Sequence, residues 1–379
     1  MNYNVFSFPG VTVNLSEYKP HNGAAEYHLI LQISDIRLNY PDQLHAISSV
    51  FQQFVKEYLA ECPIVFKRFF LSDAANQSEL LYTRINEKSA VSVVEQRPLN
   101  GSKIALWAYL VSDMQVRSQP NGLIEASHSS YSHLWGTGAQ IPASSSEYQT
   151  NQVLETYIRQ LNQYHCSLAD NCIRTWFFIQ NVDVNYSGMV TERNKVFDEQ
   201  GLTEDTHYIA STGIGGRTAN PKVAVLMDSY AISGIKEKQI NHLYALTHLN
   251  RTSEYGVRFE RGTSIDYGDR RHVFISGTAS IDRHGNVIYP GDIYRQTQRM
   301  WANVKALLAE ADCSFNNICQ MIVYLRDSSD FTIVKELFEK QFPVTPFIIV
   351  HAPVCRPEWL IEMECIALLP VKNKEYAIF

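Results

Sequence analysis

Apolar and polar positions alternate along this chain with a period that switches several times, and the switches come in one order. HVFISGTASI (272–281) reads as an apolar strand, after which Ile293, Met300, Val304 and Leu307 or Leu308 recur at helical spacing, predicting a helix from about Asp292 to Ala311. A strand period returns at CQMIVYLRD (319–327), a helix at FTIVKELFEKQF (331–342), and strands at PFIIVHA (346–352) and WLIEMECIALL (359–369). The predicted order is β-α-β-α-β-β.

The same order can be read twice more. The middle of the chain offers HLWGTGAQI (133–141), a helix over 148–164, CIRTWFFIQN (172–181), a helix over 189–199, HYIAS (207–211) and VAVLMDSYAI (223–232). HCSLADNC (165–172) resembles DCSFNNIC (312–319), with both cysteines displaced by the same 147 positions, 166 to 313 and 172 to 319. An earlier copy runs through EYHLILQIS (26–34), the helix PDQLHAISSVFQQFVKEYLAE (41–61), IVFKRFFLSD (64–73), AVSVVEQ (90–96) and KIALWAYLV (103–111), with Pro41 suited to a first helical turn. Internal similarity at this period indicates tandem units, expected at 1–120, 121–240 and 241–379. Each sheet would carry helices on one face only, and packing three such units around a pseudo-threefold axis would cover the other faces. The expected fold class is therefore α+β, a chain that forms its own trimer.

Composition narrows the functions. At 379 residues, 45% hydrophobic and 19% charged, the chain can bury a large core. A net charge of -6 without a run of Lys and Arg argues against nucleic acid as a partner. The N-terminus lacks a basic start leading into an apolar run, and no stretch approaches the ~18–20 apolar residues needed to span a bilayer, so the expectation is a cytoplasmic protein with no membrane association. Seven cysteines with no CxxC suggest reduced thiols and not a disulfide framework or zinc ribbon.

The closing strand of the last unit carries the candidate chemistry. Glu362 and Glu364 alternate with Ile361, Met363 and Cys365, which puts both carboxylates on one side of a strand, ~7 Å apart. The aligned strands offer Leu226 and Asp228 in the middle unit and Ala105 and Trp107 in the first, so a glutamate at the position of Glu362 belongs to the last unit alone. Two readings are open: a solvated or Arg-satisfied pair, or a partly desolvated Glu362 whose raised pKa suits a general acid. TGIGG (212–216) follows a strand but leads to Pro221 and an apolar β-rich segment, not to a helix start, so a phosphate-binding loop is rejected. His351 reads as a core histidine more readily than as a proton relay.

The stretch 276–342, with its opening SG strand, long helix and S-φ-x-x-φ step, together with the closing φ-E-φ-E strand, resembles the RidA/YjgF family, whose fold is also called chorismate-mutase-like. That resemblance implies a trimeric arrangement with ligand pockets between units. In the imine deaminases of that family the substrate carboxylate meets an Arg on the strand that here reads TPFIIV (345–350), where this chain has Pro346 and Phe347. ISGTASI (275–281), PGD (290–292), VYLRD (323–327), HAPVCRPEWLIEME (351–364), IASTGIGG (209–216) and RFERGT (258–263) are more closely similar to the chorismatase family. Members of that family convert chorismate to hydroxybenzoates or dihydroxylated cyclohexadienes with loss of pyruvate, and the resemblance implies such an activity here, with a hydroxybenzoate as the expected product and no metal or organic cofactor. By the same resemblance Glu362 matches the catalytic glutamate, and Cys355 matches a cysteine of the branch that forms 3-hydroxybenzoate. A substrate with two carboxylates needs guanidinium partners; Arg261 is the first choice, followed by Arg217 and Arg356, with Arg258 and Arg326 as further candidates. Tyr208, Gly277 and Thr278 are expected on the same interface. The competing expectations are a RidA-type imine or enamine hydrolase and a non-catalytic small-acid-binding protein. The assembly is expected to be a monomeric pseudo-trimer or a homo-oligomer of it.

Overall fold

A computed structural model describes residues 1–85 and 88–379. Three sheets follow one another along the chain, each built on the same six elements. The opening strands are Glu26–Ile33, Tyr131–Ala139 and Arg270–Ala279, and the long helices are Tyr40–Tyr58, Ser146–Asn162 and Ile293–Glu310. The central strands are Ile64–Leu71, Cys172–Ile179 and Ile318–Leu325, and the second helices are Ala74–Tyr82, Val182–Glu199 and Phe331–Gln341. The outer strands are Ala90–Glu95, Ala210–Gly215 and Phe347–His351, and the closing strands are Ile104–Val111, Val225–Ser233 and Ile361–Pro370. In every unit the closing strand lies between opening and central strands, and the outer strand pairs in parallel with the central one. The fold is α+β, three RidA-like repeats arranged as a pseudo-trimer.

The helices form for the reasons their sequences suggest. Asn39, Ser145 and Asp292 cap the three long helices by accepting from the backbone N–H three residues on. The stripe Ile293, Met300, Val304, Leu307 and Leu308 is buried, as its spacing predicts.

Some elements differ from the sequence reading. Asn2–Phe8 and Val11–Tyr18 add an antiparallel hairpin to the first sheet, and Gln115–Ser118 pairs into the second. The middle repeat's second helix starts at Val182 and not near 189, and its outer strand runs over Ala210–Gly215 and absorbs most of TGIGG. There the glycine is steric: a Cβ on Gly215 would stand 2.7 Å from Pro353 Cδ of the third repeat. Among the described residues no helix is long and apolar enough to cross a membrane.

Register makes the three repeats comparable residue by residue. Each central strand carries an irregularity near its start, between Ile64 and Phe66, Cys172 and Arg174, and Ile318 and Gln320. Counting from it, Ala105, Leu226 and Glu362 are equivalent, as are Trp107, Asp228 and Glu364. The helix-free faces of the sheets meet in one core that draws Phe66 and Trp107 from the first repeat, Trp176 and Tyr230 from the second, and Phe274 and Tyr324 from the third.

Charged groups are buried within this core. Arg68 Nη2 lies 2.9 Å from Asp228 Oδ2, and Arg174 Nη2 lies 2.8 Å from Glu364 Oε2. The rim is stitched by bridges between Glu95 and Arg217, between Ile214 and Val354 together with Ala210 and Glu260, and between Pro98 and Val350, so that every junction of two repeats is bridged.

Candidate active site

A cavity opens where the middle repeat's outer strand meets the third repeat's opening strand. Ser211, Thr212 and Gly213 form one wall, and Gly277, Ala279 and Ile281 another. The turn before the closing strand supplies Cys355, Arg356 and Trp359. The segment from Tyr255 to Arg261 crosses over the top, after a short turn at Thr252–Tyr255 that ends on Gly256 in the left-handed region.

Glu362 sits in this cavity and is 5% exposed. Its strand neighbours are Ala279 and Tyr324, and among the described residues its carboxyl has no hydrogen-bond partner. Burial pushes its pKa up to about 8, the charge of Glu364 adds to the rise, and Arg174 and Arg261 oppose it. The carboxyl rests against Gly277: a Cβ there would stand 2.1 Å from Glu362 Oε1, so only glycine leaves room for it.

Glu364, two residues on, has the opposite surroundings. It accepts from Arg174 Nη2 at 2.8 Å and from Trp176 Nε1 at 2.8 Å, and also from the Thr212 hydroxyl. Arg68 Nη1 stands 3.9 Å away. The two glutamates that alternate on one strand are thus separated in role, one saturated with donors and one bare.

Guanidinium groups converge on the bare carboxyl's cavity. Arg261 is 3% exposed and donates through Nε and Nη2 to the Asn250 carbonyl, 3.3 Å in each case, with Tyr255 and Phe259 rings beside it. The Arg356 guanidinium carbon stands 4.7 Å from the ring centres of both Tyr255 and Trp359. Arg193, on the middle repeat's second helix, is 1% exposed, and its Nε and Nη2 have no hydrogen-bond partner. Among the described residues no carboxylate pairs with any of the three. Arg193 and Arg261 are buried and Arg356 half-buried without an anionic partner, and the cavity is where an anion would sit.

Cys355 also lines the cavity, and burial pushes its thiol up to about 12, with the charge of Glu362 acting in the same direction. It is a neutral thiol near pH 7, able to donate weakly and to shape the wall but not to act as a thiolate base.

Other residues expected at the interface lie elsewhere. Arg217 pairs with Glu95 at 2.7 Å and lines a separate cleft of about 650 Å³, shared with Arg97 and His351. Tyr208 lines a neighbouring cavity of about 320 Å³ that shares Phe259 and Arg261 with the first. Thr278 is fully buried and donates to the Ser276 carbonyl, away from the cavity wall. Arg258 pairs with Asp198, and Arg326 with Asp183 at 2.7 Å. The strand flanking Glu362 across the interface is the middle repeat's Ala210–Gly215 and not 345–350, and it too lacks an Arg.

Tyr186 and Arg193 also line the cavity; Tyr186 precedes the helix expected over 189–199, whereas Arg193 lies within it and reads there as an ordinary surface arginine. The signal was present: Met189, Arg193, Val196 and Phe197 share one helical stripe, which leaves an arginine among buried apolar positions.

Comparison with known proteins agrees with this architecture. Residues 264–369 match the family model Endoribonuclease L-PSP. A RutC family protein of Pyrococcus abyssi is 38% identical over 97 residues, covering 25% of this chain and 76% of that protein. The mouse 2-iminobutanoate/2-iminopropanoate deaminase is 31% identical over 72 residues, 19% of this chain and 53% of the relative. A solved chorismatase structure superposes with a TM-score of 0.62 at 16% identity, covering 80% of this chain and 92% of that one, which is a likeness of fold.

Proposed function

The chain belongs to the RutC family, and we propose that within it this protein cleaves chorismate, or a closely related enolpyruvyl dicarboxylic acid, to pyruvate and a hydroxybenzoate. The observation that carries the reading is Glu362: a carboxyl without a hydrogen-bond partner, protonated at neutral pH, in a cavity bordered by Arg193, Arg261 and Arg356. The methylene of an enolpyruvyl ether must gain a proton before the ether carbon becomes electrophilic, and a sheltered neutral carboxyl is suited to give it. Pyruvate and hydroxybenzoate together contain every atom of chorismate, so the overall conversion consumes no water. The guanidinium groups would hold the two carboxylates, and Cys355 would border the ring as a neutral thiol. We assign 3-hydroxybenzoate as the product because Cys355, which lines the cavity, resembles the cysteine of the chorismatase branch that forms it.

The test is incubation of the purified protein with chorismate, following pyruvate by a coupled assay and the aromatic product by NMR. Pyruvate and 3-hydroxybenzoate in equal amounts are expected; the absence of turnover above background would remove chorismate as substrate. A second reading, hydrolysis of a small imino acid, draws on the similarity to the mouse deaminase. It shares Glu362 and would be identified by ammonia release from an imino acid generated in situ.

A further inference from the structure

The cavity accounts for Glu362 but not for the charges gathered behind it. Arg68 comes from the first repeat, Arg174 and Asp228 from the middle one, and Glu364 from the third. The first two repeats carry Ala105 and Leu226 where the third has Glu362, yet they supply both cations of this buried group.

Their charges balance. Two guanidinium groups face two carboxylates, Asp228 and Glu364, and each carboxylate is anchored by further donors. Gly138 N–H reaches Asp228 Oδ1 at 2.9 Å, and Trp176 and Thr212 hold Glu364. Thr212 also receives the Gly277 N–H at 2.9 Å, fixing the backbone on which the Glu362 carboxyl rests. An ionised Glu362 would be a third anion beside a neutral set, ~7 Å along the strand from Glu364 and without a donor of its own.

We propose that Glu364 is a positioning residue for the acid: paired with Arg174 and Arg68 of the other two repeats, it selects the protonated form of Glu362. The two repeats that lack a glutamate at this position would then serve the site from behind as well, as its fixed charge background. This rests on Glu362 being the acid of the proposed reaction, but it concerns the protein without substrate.

The groups around Glu362 bear on the sign. On its own sheet stand Glu364 and the Tyr324 hydroxyl, and behind it Arg174. Across the cavity are Arg261 and Arg356, with Arg193 and Tyr186 on the helix, Tyr255 above and Cys355 at the turn. The arginines favour the carboxylate. Glu364 acts the other way with more effect than Arg174 or Arg261, as like charge on a neighbouring carboxyl does.

The test reads the Glu362 proton directly, by infrared difference titration of the neutral carboxyl band, assigned by its loss in Glu362→Gln. Wild-type protein should keep the band at pH 7 and lose it near pH 8. In Glu364→Gln the midpoint should fall by about one pH unit or more. A double variant, Glu364→Met with Arg174→Met, replaces the pair with apolar side chains in case the single variant unfolds; its midpoint should also fall, by less. A midpoint that stays or rises in a folded variant overturns the proposal. Since no substrate is present, failure of the chorismate assay leaves this outcome intact, and a failure here leaves the assay intact.

Discussion

Glu362 and Glu364 show how far two identical side chains on one strand face can diverge. Glu364 is surrounded by two guanidinium groups, an indole N–H and a hydroxyl, which compensate its buried carboxylate for lost hydration. Glu362 has none of these and keeps its proton. That difference has a consequence for stability. Between its ordinary pKa of 4.5 and its folded value of about 8, the folded protein holds a proton that the unfolded chain has released. Stability from this group is therefore full below pH 4.5 and is lost as pH rises to 8, with a slope of about 1.4 kcal/mol per pH unit. Glu362→Gln cannot titrate, so its stability relative to wild type should rise by roughly 2 kcal/mol or more between pH 5 and pH 8. Chemical denaturation of both proteins across that range gives the difference, and a flat difference would contradict a protonated Glu362. Glu260, pushed up to about 7 mainly by burial, changes with the same sign in both proteins and cancels in the comparison.

At the scale of elements, the site is a meeting of one strand from each of two repeats with a helix and a crossing segment. The strand alternation already placed Glu362 on a face, and the resemblance to chorismatases, not the alternation, singled out Arg261, Arg356, Cys355 and Gly277, which line the same cavity. What local pattern could not supply was which edges abut. Arg217 and Tyr208 lie just past the two ends of the outer strand that borders the cavity, and only the docking of repeats shows that Ser211 to Gly213, between them, form its wall. The helix carrying Arg193 gives the element-scale prediction. Its guanidinium is buried with two nitrogens unpaired, a condition that costs stability unless a ligand supplies the anion. Arg193→Met should raise KM for the acid substrate by roughly 10–100-fold with kcat within a few-fold, the pattern of lost ground-state binding. The same variant should unfold at a higher temperature than wild type. Unchanged KM with a lowered melting temperature would assign Arg193 to structure alone.

The whole molecule was legible as a repeat because its elements recur in order and its cysteines keep register, both local properties. The axial charges were not. Arg68, Arg174 and Asp228 each read as ordinary polar positions within apolar strands, and their meaning appears only when three faces close on one another. A homotrimer must place identical groups around its axis, whereas a tandem chain can place cations in one repeat and the acid in another. Fusion thus permits a single asymmetric site, at the junction of the middle and third repeats. The most direct test of this account is the rate of pyruvate release from chorismate as a function of pH, in wild-type protein and Glu362→Gln. The account predicts a rate that falls as pH rises through about 8 in wild type and a loss of at least about 100-fold in the variant. Wild-type protein that releases no pyruvate, or a variant that releases it at the wild-type rate, would contradict it.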